Sequence, residues 1–171
     1  MSAVGIDKYL NDIRTKIYAS TPLCKLLYHD TDNPLAGANL SPNNSIIYTD
    51  KENKKLFFTP FTLDNADVTK STLTIFVDNF RLDKKNTYFK SMNIHFVIAV
   101  NNRIWELDDN SGELKLRPNL IIYYLNEIFN RQRTVGLGVN NFDRARIFYP
   151  NPYFSAYEYV LEAVDFTLNT K

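Results

Sequence analysis

The sequence predicts an α+β domain in which an antiparallel sheet packs against two or three helices, with long loops between them. Thr72–Val77 and Met92–Val100 are rich in β-branched and aromatic residues, and the charged stretch Arg81–Asn86 joins them as an antiparallel connection in water would. Leu73, Ile75 and Val77 fall on one face of the first strand. Ile94, Phe96, Ile98 and Val100 do the same in the second, so each strand has a side to bury. Apolar residues recur at helical spacing in two other stretches, one near the N-terminus and one after Pro118.

In chain order, Gly5–Tyr18 reads as a helix, with Ile6, Leu10, Ile13 and Ile17 spaced by three and four. Ser20-Thr21-Pro22 reads as a cap followed by proline in the first turn, opening a second short helix through Cys24, Leu26 and Leu27. His29–Asn44 is rich in Asp, Asn, Pro, Gly and Ser. At about sixteen residues it is longer than most connections in compact domains, which marks it as functional or mobile. Ser45–Thr49 and Leu56–Thr59 are expected to form a hairpin around Asp50–Lys54, ended by Pro60, with Phe61–Lys70 as a polar connection. Arg103–Leu107 and Glu113–Leu116 flank the turn-rich Asp108–Gly112 as a second hairpin. The main helix runs from Arg117 to about Arg131, with Ile121, Ile122, Leu125, Ile128 and Phe129 as its apolar stripe, and lies across the sheet. Arg144–Tyr149 reads as a short strand before Pro150-Asn151-Pro152. Phe154–Leu168 reads as a long central strand, apolar on both faces, covered by helices on one side and by a partner on the other.

The totals fit one domain spanning residues 1–171. The chain is 44% hydrophobic and 14% aromatic, enough for a core that buries roughly two-thirds of the unfolded surface. Twenty Lys plus Arg against nineteen Asp plus Glu leave a net charge of +1, without the basic surplus of a general nucleic-acid binder. Cys24 is the single cysteine, so there is no intramolecular disulfide and no thiolate zinc site. No basic, apolar leader opens the sequence and no run approaches the ~18 apolar residues of a membrane span, so a soluble protein made in the cytosol is expected.

Each candidate chemistry meets a stronger plain reading. Cys24, His29 and Asp30 are the nearest to a nucleophile set, but a separation of five puts thiol and imidazole on different helix faces, and Cys24 lies among leucines. His95 alternates with Ile94 and Phe96, so it points to the opposite sheet face as a satisfied structural or interface histidine. Asp108–Glu113 resembles a calcium loop in composition, yet counted from Asp108 its glycine comes fifth and position twelve is Asn119, so a hairpin turn is the better reading. Gly136 and Gly138 follow a helix where the dinucleotide fingerprint follows a strand. Glu158 and Glu162 share a strand face about 13 Å apart, too far for a glycosidase pair. The sequence therefore predicts no catalytic residue, no cofactor and no metal.

The aromatic excess admits three readings: core packing, a stacking platform for single-stranded nucleic acid, or a protein–protein surface. Basic residues are scattered and matched by acids, which disfavours the platform. Tyr149-Pro150-Asn151-Pro152-Tyr153-Phe154 suits the third, since prolines hold an aromatic-bearing loop in one shape.

The order of parts resembles a known group. An N-terminal helix, the strand pair Thr72–Val77 and Met92–Val100, a hairpin, a helix opened by Arg117-Pro118-Asn119-Leu120-Ile121 and the final strand Phe154–Leu168 resemble the neck proteins of tailed bacteriophages, the tail terminators and head–tail joining proteins. The resemblance implies a non-enzymatic structural protein of the virion, assembled in the host cytoplasm. It implies rings, commonly hexamers, that contact other neck, connector or tail-tube proteins, with no membrane and no sequence-specific nucleic acid. The contact residues expected on this reading are Asn33, Leu35 and Asn39 in the long loop, Phe57, Phe58 and Phe61, and Tyr149, Tyr153 and Phe154. The alternative is a small α+β module that binds single-stranded nucleic acid or a regulatory partner.

Overall fold

The computed structural model describes residues 3–58, 69–82, 89–134 and 138–164. The chain begins with helices α1 (Ala3–Ala19) and α2 (Thr21–Tyr28). Tyr9, Ile13 and Ile17, one turn apart, bury one stripe of α1, while Lys16 pairs with Asp12 at 3.4 Å on its wetter side. Ser20 occupies the N-cap of α2 in extended backbone, and Leu23, Cys24, Leu26 and Leu27 are all buried.

The stretch expected to pair Ser45–Thr49 with Leu56–Thr59 folds differently. Ile46–Thr49 is one helical turn, α3, and β1 (Leu56–Phe57) runs parallel to β2 (Ser71–Leu82), with Leu56 opposite Leu73. Short polar side chains supply the reason. Asn43 Oδ1 accepts from Ser45 N at 2.9 Å, and Asp50 Oδ1 accepts from Glu52 N and Asn53 N at 3.0 Å, giving the backbone local partners that compete with a ladder.

The remaining strands follow the expected alternation more closely. The two central strands are β2 and β3 (Phe89–Asn101), antiparallel, with Ile75 opposite Phe96; residues 83–88 of the charged linker lie outside the described part. A small hairpin, β4 (Glu106–Leu107) with β5 (Lys115–Leu116), leads into α4 (Arg117–Phe129). Asn110 and Gly112 take φ of 61° and 74° in the hairpin's turn, the left-handed region that suits these two residues. Then come β6 (Arg133–Thr134), β7 (Gly138–Asn151) and β8 (Phe154–Val164). The expected short strand over Arg144–Tyr149 is thus part of a 14-residue one, because pairing with β8 carries polar Asn140 and Asn141 into the ladder against their local preference.

The main sheet has six strands in the order β1-β2-β3-β8-β7-β6, antiparallel except for β1 with β2. One face carries Leu73, Ile75, Ile94, Phe96, Ile98, Tyr159 and Leu161 against Ile13, Leu26, Ile121, Leu125 and Phe129 from the helices. Phe96 lies 5.2 Å from Phe129 between ring centroids. Each such side chain contributes roughly 1.5–3 kcal/mol on burial, so this face anchors the fold. The other face holds a smaller cluster of Ala99, Phe154 and Ala156, with Phe148 against it, and a row of charged residues.

Candidate interaction surface

The β7–β8 hairpin presents Phe142, Tyr149 and Tyr153, three of the exposed aromatic residues; Tyr123 on α4 is another. Its turn is fixed by Asn151, whose Oδ1 accepts from Tyr153 N at 2.9 Å and Phe154 N at 3.0 Å. Asn102 holds it from below: its backbone N–H donates to Tyr153 O at 2.8 Å and its Nδ2 to Pro152 O at 3.1 Å. Tyr149 and Tyr153 project from this held turn, 71% and 47% exposed. Phe154, expected among the contacts, is fully buried with Ala99 and Ala156, so its ring secures the turn.

The outer edge of β7 is open. β6 pairs with β7 only at Gly138 and Val139, and residues 141–147 are all exposed; among the described residues no strand lies beyond them. A register shift leaves Asp143 unmatched by β8, which places Phe142 and Ile147 toward the same sheet face, 49% and 43% exposed. The two cations of this edge have local partners: Arg144 pairs with Asp143, and Arg146 Nε donates to Glu158 Oε2 at 2.5 Å.

The long loop is tied down along its length. Lys25 Nζ donates to Gly37 O at 2.7 Å, His29 Nε2 bonds Ala38 O at 2.9 Å, and Asn33 Oδ1 accepts from Ala36 N to cap a 3-10 turn over Pro34–Ala36. Asn33 is half-buried, while Leu35 and Asn39 are exposed. Phe57 and Phe58 are half-buried, Phe58 edge-on to Tyr48 at 5.9 Å, and Phe61 lies outside the described residues.

Two polar clusters lie apart from the expected contact residues. The first contains His95, expected on the opposite sheet face as a satisfied histidine, and its carboxylate partners were not foreseen. On the second sheet face, His95 Nδ1 bonds Glu158 Oε1 at 2.8 Å, Nε2 bonds Asp78 Oδ1 at 2.9 Å, and Phe76 stacks on the imidazole at 4.6 Å. With Arg146 this makes a hydrogen-bonded polar row across β2, β3, β8 and β7. Burial pushes the Glu158 carboxyl up, but hydrogen bonds from His95 and Arg146 outweigh it and hold the group below its usual range. The imidazole sits between the two carboxylates, so the three do not converge on a metal, and among the described residues no other His, Cys, Asp or Glu group does.

The second cluster centres on Arg117, which is fully buried at the start of α4. Its guanidinium donates to Ile104 O at 3.0 Å, Leu26 O and His29 O at 2.8 Å, Ser71 Oγ at 3.3 Å, and the Thr31 carbonyl. Burial lowers it to about 10. Beside it, Lys55 Nζ meets Asp30 Oδ2 at 2.5 Å, and Asp30 Oδ1 accepts from Ser71 N at 3.3 Å. One signal for Arg117 was available: a cation in the first turn of a helix opposes the macrodipole, so it needs another role. Cys24 is buried as expected, its Sγ 3.3 Å from Ile17 O, and burial pushes the thiol up to about 12.

Among the described residues no helix is long and apolar enough to cross a membrane. No curated protein matches the chain. The YomW family model matches residues 20–163, from the cap of α2 to the penultimate residue of β8. The chain belongs to the YomW family, a phage-derived family of the Bacillus SPbeta type.

Proposed function

We propose that this phage-associated protein is a structural, non-enzymatic subunit of the virion neck, a tail terminator or head-to-tail joining protein that forms a ring with its own copies. The open edge of β7, with Phe142, Ile147, Tyr149 and Tyr153 exposed along it, carries this reading. An unpaired edge offers a row of backbone donors and acceptors to another chain, and exposed apolar residues beside it favour such pairing. On the opposite rim, β1 pairs with β2 only at Leu73 and Thr74, leaving the rest of β2 open among the described residues. Two different open edges on one subunit suit head-to-tail contacts, which close into a ring when the rotation allows. A net charge of +1 offers little repulsion between copies.

The test is to locate the protein in purified phage particles by quantitative mass spectrometry and gold labelling. The reading expects a fixed, small copy number at the neck. Absence from mature particles would refute it and bring forward the alternative of a regulatory or nucleic-acid-binding module.

A further inference from the structure

A cleft of about 340 Å³ lies between α1 and the α3–β1 region, lined by Asp7, Leu10, Asn11, Arg14, Tyr48 and Phe58. Its volume falls in the range of small-molecule sites. Three kinds of group meet there. Tyr48 and Phe58 supply flat rings, set edge-on to each other at 5.9 Å. Arg14 brings a cation to the cleft, its Cζ 5.3 Å from the Tyr48 ring centroid, and Lys54, outside the lining, reaches the same ring with Nζ at 4.1 Å and lies 5.3 Å from the Phe57 ring. Among the described residues neither cation has a carboxylate within ion-pair distance. Asp7 and Asn11, one turn apart on α1, add an acceptor and an amide to the same wall.

We propose that this cleft binds one nucleoside monophosphate unit, free or at the end of a single strand. Each group has a counterpart in that ligand. The cations suit the phosphate, and a guanidinium matches its oxygens in bidentate fashion. Tyr48 carries the cations on its ring, and the Phe58 ring suits a base, whose stacking is tolerant of sequence. Asp7 can accept from a base N–H and Asn11 can bond an adenine edge through both its amide groups. A bare carboxylate would use the cations and leave Asn11 and the Phe58 ring unused, and a neutral sugar would leave the cations idle. The net charge of +1 fits a site for a single unit and not a tract of backbone. This inference does not depend on the ring reading, since no residue of β7 lines the cleft.

Calorimetric titration of the full chain with dAMP, dTMP, inorganic phosphate and an eight-residue oligothymidylate tests it. Binding of the nucleotides is expected to weaken at least tenfold in the Arg14→Ala/Lys54→Ala double variant and in Asn11→Ala with dAMP. Asn11 is exposed, so thermal unfolding should stay unchanged in Asn11→Ala, and the double variant should remain folded with only a small loss from its ring contacts. Tighter binding of the oligonucleotide than of dTMP identifies the strand as the source, and equal affinity identifies the free nucleotide. No nucleotide binding, binding that survives the double variant, or phosphate binding as tightly as dAMP each overturns the proposal.

Discussion

His95 on β3 and Glu158 on β8 face each other across the second face of the sheet, with Nδ1 and Oε1 2.8 Å apart. Glu158 also takes Arg146 from β7, so one buried carboxylate links three strands. Because the folded-state carboxyl sits below its ordinary value of 4.5, its contribution to stability is fully present above that value and is lost as pH falls through the folded one. Glu158→Gln should therefore flatten the acid limb of the stability profile. At pH 7 it should cost about 1–3 kcal/mol, the range for leaving buried partners poorly paired. Urea unfolding at pH 7, 5, 4 and 3 measures both effects, and parallel profiles for the two proteins would count against this role.

Arg117 joins α4 to the end of α2, the start of the long loop and β2 through its five acceptors. Arg117→Met keeps much of the volume but strands the carbonyls. It should lower stability by about 3–5 kcal/mol, as for breaking other buried charged networks. Arg117→Lys should recover little, because an ammonium lacks the planar fork that reaches acceptors on several sides. A lysine variant as stable as wild type in urea would show that the charge alone matters.

Cys24 should be inert in the folded protein. A thiol pushed up to about 12 from 9 has about a thousandfold less thiolate at neutral pH, and it is wholly buried as well. Labelling by a disulfide reagent should be complete in urea and negligible without it. Rapid native labelling would contradict this placement.

The sequence made some elements legible and hid others, for physical reasons that differ. β2, β3 and α4 were readable because burial imposes periods of two and 3.6 on their apolar residues. In β7 the polar run Asn140–Asp143 carries no such period, since its outer side faces solvent and its pairing is set by β8. Ser45–Thr49 has the composition of a strand, but the neighbouring Asn43 and Asp50 decide its backbone. The exposed Tyr149 and Tyr153 were legible from the prolines around them. Phe154 was not, because a ring that secures a turn and a ring that meets a partner look alike in sequence. Lys55 finds its partner 25 residues away, and Arg117 finds four of its five acceptors 46 or more residues away, which no local pattern records.

The open edge of β7 should tolerate change in the monomer and not in the assembly. Ile147→Asp places a charge at a residue 43% exposed, so stability should move by no more than about 0.5 kcal/mol. Self-association should be lost, because the charge must be desolvated at the paired edge.

The most direct measurement is the mass of the protein in solution by light scattering after size exclusion, over a concentration series, for wild type and Ile147→Asp. The account predicts that wild type passes from monomer to one closed ring-sized species as concentration rises, while the variant stays monomeric and folded. A wild-type chain that remains monomeric at every concentration, or a variant that assembles equally well, would contradict it.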